Sequence, residues 1–156
     1  MHSDVVQAVI DAHGDQPADV LRVLHGIHDC LGFVPDEAVP IVAKRLNVSR
    51  AEVHGVVSFY RHFRRTPPGR HVVHLCQGEA CQSVGAVALA MHAKQRLGCG
   101  FDETTADGSI SLEQAFCLGL CSTGPAALVD DDHLQARVTP ARFDALVEVL
   151  TAEGLP

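Results

Sequence analysis

The sequence predicts an α/β fold in two parts: an N-terminal three-helix bundle over residues 1–66 and an α/β domain over residues 70–156. Two observations carry this prediction. Apolar residues recur with helical spacing in the first part, whereas short β-rich runs alternate with helical stretches in the second. Between them, Thr66-Pro67-Pro68-Gly69 is the one clear linker. With 47% apolar and 20% charged residues, the composition is that of a folded chain.

Three helices are expected before the linker. The first, from Pro17 onward, has one apolar stripe and ends at Gly32; the stripe is Val20, Leu24, Ile27 and Leu31. The second starts at Pro35-Asp36-Glu37, with acids near the positive end of the helix dipole. The third opens with the capping box Ser49-Arg50-Ala51-Glu52, and its apolar residues are Val53, Val56, Val57, Tyr60 and Phe63.

The second part has a β-α-β-β-α order. A strand over 71–75 precedes a helix over 83–97, whose buried face is predicted to be Val84, Val87, Ala88, Met91 and Leu97. Asp107-Gly108 predicts a tight turn before a strand over 110–112. Residues 126–129 and 133–138 form a hairpin, and Thr139-Pro140 opens a closing helix that buries Phe143, Leu146, Val147 and Leu150. This order suits a two-layer sandwich of the thioredoxin kind.

Charge and hydropathy exclude two classes of partner. The net charge of −7 argues against binding to nucleic acid, which needs concentrated positive charge. No apolar run approaches the roughly 18 residues that span a bilayer, so direct membrane insertion is not expected. The segment Met1–Asp15 has acids and no Lys or Arg, unlike a secretory leader. We therefore expect a cytoplasmic protein.

Six cysteines are the most informative residues. Four of them fall into two pairs, Cys76-x4-Cys81 and Cys117-x3-Cys121, with 35 residues between the pairs. Each pair follows a predicted strand, so a sheet can present both thiols of each pair from adjacent loops at one edge. A [2Fe–2S] cluster needs four thiolates, two for each iron, which two such pairs supply. Glycines and small residues around the pairs would let backbone N–H groups approach the sulfurs.

Other interpretations of the cysteines stay open on spacing alone. Structural zinc also takes four cysteines, although its sites favour C-x2-C pairs, which are absent here. A redox disulfide is weaker for the same reason. Cys30 and Cys99 are expected to be free thiols. The histidine pairs His25/His28 and His71/His74 are compatible with a metal but common by chance, and His54 is expected to be structural. No catalytic motif is visible, so no catalytic residues are assigned.

With these motifs, the chain resembles the thioredoxin-like [2Fe–2S] ferredoxin subunit of respiratory complex I. The resemblance is carried by the stretches Leu75–Cys81, Glu113–Ala126 and Ser49–Tyr60, and it runs from about Val20 to Leu150. It implies a thioredoxin-like α/β domain that carries one [2Fe–2S] cluster on Cys76, Cys81, Cys117 and Cys121.

Within that family, the stretch from His54 to Arg64 is most similar to the gamma subunit of the molybdenum-containing, NAD-dependent formate dehydrogenase. The resemblance implies a partner subunit that binds FMN and NAD, and a larger subunit that carries molybdenum cofactor and further iron–sulfur clusters. The chain itself would transfer single electrons to or from the partner's FMN and would have no substrate site. The equivalent subunits of complex I, an NADH:quinone oxidoreductase, and of an NAD-reducing hydrogenase are the alternatives.

Two further function classes remain: a free-standing ferredoxin, which needs no N-terminal helical part, and a zinc-stabilised interaction module.

A cluster of basic residues is a candidate surface for binding a partner. Arg61, Arg64, Arg65 and Arg70 place four of the twelve Lys and Arg residues within ten positions. This segment is either a solvated turn or part of a docking face for the flavin subunit.

Overall fold

The computed structural model describes residues 2–14 and 16–152, and the chain divides into two compact units between Pro67 and Pro68. Met1, Asp15 and residues 153–156 lie outside the described residues. Parts of the expected domains 1–66 and 70–156, and of the segment Met1–Asp15 that was compared with a leader, therefore fall on residues that the structure does not describe. Each unit is described below by itself.

The described part of the N-terminal unit contains four α-helices rather than the three expected. They are α1 (His2–His13), α2 (Val20–Leu31), α3 (Ala38–Arg45) and α4 (Arg50–Phe59), with a 3₁₀ turn at Pro17–Asp19. Helix α1 was missed, although Val6, Val9 and Ile10 already have helical spacing and are buried in the unit's core. The prediction of a three-helix bundle is therefore corrected to four helices.

The helix ends follow the local sequence. Gly32 has φ +77° and donates its N–H to the carbonyl of His28, which ends α2 as expected. At the start of α4, the Ser49 side chain accepts from the Glu52 N–H, and the Glu52 carboxylate accepts from the Ser49 N–H. The predicted capping box is therefore present. Helix α4 ends at Phe59, so Phe63, expected on its apolar face, instead lies beyond the helix, where it is buried.

The C-terminal unit contains a five-stranded sheet. Its strands are β1 (His71–Cys76), β2 (Glu103–Thr104), β3 (Ile110–Ala115), β4 (Ala127–Val129) and β5 (His133–Gln135), in the order β2-β3-β1-β4-β5. Strands β1 and β3 pair in parallel, and the other neighbours pair antiparallel. The turn at Asp107-Gly108 joins β2 to β3, and residues 130–132 join β4 to β5, as predicted. The mixed α/β class is confirmed.

Three helices accompany this sheet: α5 (Glu79–Ser83), α6 (Ala86–Leu97) and α7 (Pro140–Ala152). Helix α7 buries Phe143, Val147 and Leu150 as expected. The single helix predicted over 83–97 is instead two helices, because Gly85 adopts φ +107° between them. No described helix is both long and apolar enough to cross a membrane.

Of the five residues predicted for the buried face of α6, Leu97 alone is confirmed, since it packs partly buried against the core. The structure buries Ala86, Leu89, Ala90 and Ala93, whereas Val87 is 49% and Met91 65% exposed. Helix α6 packs against β1 and α7, and three alanines let its backbone approach closely. The prediction had given more weight to large apolar residues than to alanine. Val84, Val87, Ala88 and Met91 therefore form an exposed apolar face, which we call the α6 apolar face.

This assignment predicts a large loss of stability for truncation of one residue of α6 and almost none for truncation of another nearby. Leu89→Ala should lower the free energy of unfolding by about 2–5 kcal/mol, because it opens a cavity beneath α6. Met91→Ala should change it by less than about 0.5 kcal/mol, because the side chain is exposed. Urea denaturation of the two variants measures both values. A larger loss for Met91→Ala would contradict the observed orientation of α6.

Candidate metal centre

The parallel pairing of β1 and β3 brings both cysteine pairs to one edge of the sheet. Cys76, the last residue of β1, is the register partner of Ala115, the last residue of β3. Beyond that edge, the Gln77 N–H donates to the Ala115 carbonyl at 2.6 Å. Cys117 follows two residues after β3. The chain therefore leaves both strands in the same direction, and each exit leads into one cysteine pair.

The first pair is buried. Cys76 is 3% and Cys81 2% exposed, and both belong to a small apolar cluster with Ala86 and Ala126. Cys81 lies in α5, directly after the loop that leaves β1. On the opposite side of the loop, the N–H of Cys76 donates to the carbonyl of Ala126 at 3.0 Å, which fixes the end of β1 against the segment before β4.

The second pair is exposed. The sulfur atoms of Cys117 and Cys121 lie 3.8 Å apart, on either side of a tight turn at Gly119. Gly119 has φ +76°, a conformation that favours glycine, and its N–H donates to the Cys117 sulfur at 3.4 Å. This contact is the N–H to sulfur hydrogen bond that stabilises a thiolate ligand.

Two glycines keep space around the sulfurs. A side-chain carbon at Gly78 would lie 2.7 Å from the Phe116 carbonyl oxygen and 3.6 Å from the Cys76 sulfur. One at Gly124 would lie 3.0 Å from the Cys81 sulfur. Both distances to the nearest atom are shorter than ordinary van der Waals contact. A side chain at Gly78 would therefore clash with the backbone, and one at Gly124 would press against the Cys81 sulfur, so both glycines help these loops close around the cysteines.

The four thiols form one electrostatic group. Burial, then a hydrogen bond with Cys76, raises the pKa of the Cys81 thiol, although the backbone N–H of Ala126 opposes this. The pKa of Cys121 is raised by its hydrogen bond and repulsion with Cys117, with a smaller contribution from Cys76. The thiolates of Cys81 and Cys121 are therefore disfavoured unless a positive charge compensates. Metal ions supply that charge and bind cysteine as the thiolate.

The spacing of the sulfurs fits two metal ions better than one. A mononuclear tetrahedral zinc site, with Zn–S bonds of about 2.3 Å, needs all four sulfurs about 3.8 Å from one another. Within the described part of the chain, no three cysteine sulfurs lie within 4.8 Å of one another. The 3.8 Å between Cys117 and Cys121 suits one iron of a dinuclear cluster, and the donor set, all sulfur, suits iron–sulfur chemistry.

The structure thus brings together the four cysteines that the sequence selected and keeps the other two apart. Cys99 lies in the larger core of the C-terminal unit, where burial and then Glu103 raise its pKa. Cys30 is exposed in the last turn of α2. The sequence could not show that the Gly119 N–H points at the Cys117 sulfur, because backbone direction leaves no residue signal.

The comparisons with known proteins agree with this geometry. Residues 6–151 match the family model of the thioredoxin-like [2Fe–2S] ferredoxins. Over 118 residues the chain is 35% identical to an NADH-quinone oxidoreductase subunit of Pseudomonas aeruginosa, covering 76% of this chain and 71% of that protein. It is also 31% identical to an NADP-reducing hydrogenase subunit, HndA, of Solidesulfovibrio fructosivorans, covering 94% of this chain and 85% of that protein.

A solved structure supports the same fold. A chain of an NAD⁺-reducing [NiFe]-hydrogenase superposes with a TM-score of 0.72 at 27% identity, over 91% of this chain. The present chain spans only 23% of the length of that hydrogenase chain. The cofactor that the family implies is one [2Fe–2S] cluster, which the all-sulfur donor set fits. The chain belongs to the thioredoxin-like [2Fe–2S] ferredoxin family.

Proposed function

We propose that this chain is the one-electron-transfer [2Fe–2S] subunit of a multi-subunit, NAD-linked oxidoreductase, with Cys76, Cys81, Cys117 and Cys121 as the cluster ligands. The observation that carries the proposal is the convergence of these four cysteines at one edge of the sheet. A [2Fe–2S] cluster supplies one-electron transfer. The chain supplies the thiolates, the N–H groups that hydrogen-bond to sulfur, and a buried inner wall.

The difference in exposure between the two pairs suits a relay. Cys76 and Cys81 are held away from solvent, whereas Cys117 and Cys121 lie at the surface. A centre with one open side can exchange electrons with a partner that covers that side. Solvent exposure and hydrogen bonds to sulfur also set the reduction potential of such a centre. No acid, base or substrate pocket is required of this chain.

The proposed partner is a flavin- and NAD-binding subunit. Support comes from the relatives, which are named as subunits of NADH-quinone oxidoreductases and of an NADP-reducing hydrogenase. The α6 apolar face adds a physical reason, because exposed apolar patches mark protein interfaces. This face begins beside the buried cysteines: Val84 lies 3.1 Å from where a side-chain carbon at Gly124 would be, and Gly124 also adjoins Cys81.

For the parent complex, we propose the NAD-dependent formate dehydrogenase on the basis of the sequence from His54 to Arg64, with a molybdenum- and iron–sulfur-containing subunit as a further partner. NADH-quinone oxidoreductase and an NAD-reducing hydrogenase are equally good candidates for the parent complex, since the similar proteins named above belong to such complexes.

Affinity purification of the tagged chain from its native host distinguishes the three candidates. Formate-, quinone- or hydrogen-linked NAD activity in the purified complex identifies the parent, and a chain that purifies alone refutes membership of any complex.

We also propose a cytoplasmic location, where thiols stay reduced and can be loaded with iron.

The arginines of the basic segment differ in their surroundings in the structure. The Arg65 guanidinium pairs with the Asp36 carboxylate, the Arg65 Nε to Asp36 oxygen distance being 3.0 Å, so this arginine already has a role within the N-terminal unit. Arg61 is exposed and is the residue we use to test the docking hypothesis.

The ligand assignment predicts a division among the six cysteines. Replacing Cys76, Cys81, Cys117 or Cys121 by Ser should abolish the cluster or shift its visible and EPR spectra, because one sulfur ligand is lost. Cys30→Ser and Cys99→Ser serve as matched controls and should keep a normal spectrum. Iron content and visible absorption of the purified variants measure the effect. A Cys99→Ser variant that is folded but colourless would show that Cys99 is a ligand in place of one of the four proposed cysteines.

The docking surface predicts a second set of effects. The variant Val87→Glu/Met91→Glu should reduce recovery of the flavin subunit in a pull-down at least tenfold, because two buried charges would lie at the interface. Gln95→Glu, exposed on the same helix, is the control and should bind normally. In the same assay, Arg61→Glu should reduce recovery of the flavin subunit if the basic segment is part of the docking face. Arg50→Glu, which is exposed outside that segment, is its control and should bind normally. Unchanged recovery with the double variant would remove the α6 apolar face from the interface.

A further inference from the structure

A second group of metal-binding side chains lies within the N-terminal unit. The ligand atoms of His28, Asp29 and His62 all lie within 4.8 Å of one another. In the part of the chain that the structure describes, no other set of three His, Cys, Asp or Glu residues meets this distance. The imidazole rings of His28 and His62 have centroids 4.3 Å apart. The iron–sulfur function uses none of these residues.

The last turn of α2 presents two of the three side chains. His28 is half-buried and Asp29 is exposed, and they are consecutive in the sequence. The N–H of Gly32 donates to the His28 carbonyl at 2.7 Å, which fixes this turn. Because the carboxyl end of a helix carries partial negative charge, a cation beside this turn is stabilised.

The third side chain is held by the turn that follows α4. The Arg64 N–H donates to the His62 carbonyl at 3.1 Å, and the Val34 N–H donates to the Arg64 carbonyl at 2.7 Å. Phe63, which is buried next to His62, packs its ring 4.9 Å from that of His25. Backbone bonds on one side and a buried ring on the other therefore place His62 against α2 before any ion binds.

We propose that His28, Asp29 and His62 form a binding site for one divalent transition-metal ion of the Zn²⁺ type. Two imidazole nitrogens and one carboxylate oxygen are a donor set that zinc uses, with a further position for water or for His25, whose ring lies 5.1 Å from that of His62. Magnesium and calcium prefer sites made of oxygen ligands alone and do not match. The ion joins the end of α2 to the turn after α4.

Such an ion would act as a clamp on the N-terminal unit. It connects residues 28 and 29 with residue 62, which are distant in sequence and lie on different elements. Because the site forms only in the folded unit, binding shifts the equilibrium toward the folded state. The site is independent of the iron–sulfur ligands and does not depend on the proposed parent complex.

Calorimetric titration of the cluster-containing, chelator-washed protein with Zn²⁺ tests the proposal. Wild-type protein should bind one Zn²⁺ per chain with an unchanged visible spectrum of the iron–sulfur cluster. Asp29→Asn and His62→Gln should each weaken binding more than tenfold, since even outer-shell changes cost about 10–100-fold in metal affinity. His54→Gln, exposed on α4, is the matched control and should bind as wild type does.

Thermal unfolding gives a second readout. Zn²⁺ should raise the unfolding midpoint of the wild-type protein and of His54→Gln, but not that of Asp29→Asn. Asp29 is exposed, so its replacement should leave the fold intact even if His62→Gln does not. A wild-type protein that takes up no Zn²⁺, or an Asp29→Asn variant that binds it as tightly as wild type, would overturn the proposal.

Discussion

The parallel register of β1 and β3 is the constraint on which the metal centre depends. It sets Cys76 opposite Ala115, so that two cysteine pairs with 35 residues between them meet where the strands end side by side. A shift by one residue would reverse which side chains face the core and would separate the loops. The core residues Val73, Leu75, Ile110 and Leu112 hold this register, since each is fully buried. The packing of the sheet therefore determines the geometry of the ligands.

Once the loops meet, electrostatics determines what can occupy the centre. Burial and neighbouring thiols raise the pKa of Cys81 and of Cys121, so these two residues favour their protonated forms. A backbone hydrogen bond with Ala126 lowers the pKa of Cys81 but offsets only part of this cost. The positive charge of the metal supplies the rest. Without it, the protein holds a group of crowded thiols, two of them buried, and cluster assembly supplies the charge that this arrangement lacks.

Signals that act over a few residues predicted the fold well. The capping box at Ser49, the left-handed Gly32 and the turn at Asp107-Gly108 each depend on neighbouring atoms, and all are present. Two of the predictions that failed did so because they depend on packing between elements. Helix α1 has only a short apolar stripe, and alanine, not valine or methionine, faces the sheet on α6. The cysteine spacing predicted which residues form the metal centre. The proximity of His62 to His28 could not be predicted from the sequence, because a turn brings them together and no regular spacing does.

The most direct test of the central claim is the content of iron, acid-labile sulfide and zinc in anaerobically purified protein, with EPR after reduction by dithionite. We predict about two irons and two sulfides per chain and a spin-half signal on reduction. Zinc bound at the proposed histidine–aspartate site would be measured in addition to the iron and sulfide and would not replace them. The Asp29→Asn variant, in which zinc binding at that site is weakened, is therefore measured as well. Zinc without sulfide in that variant, together with failed reconstitution by iron and sulfide, would contradict a [2Fe–2S] centre.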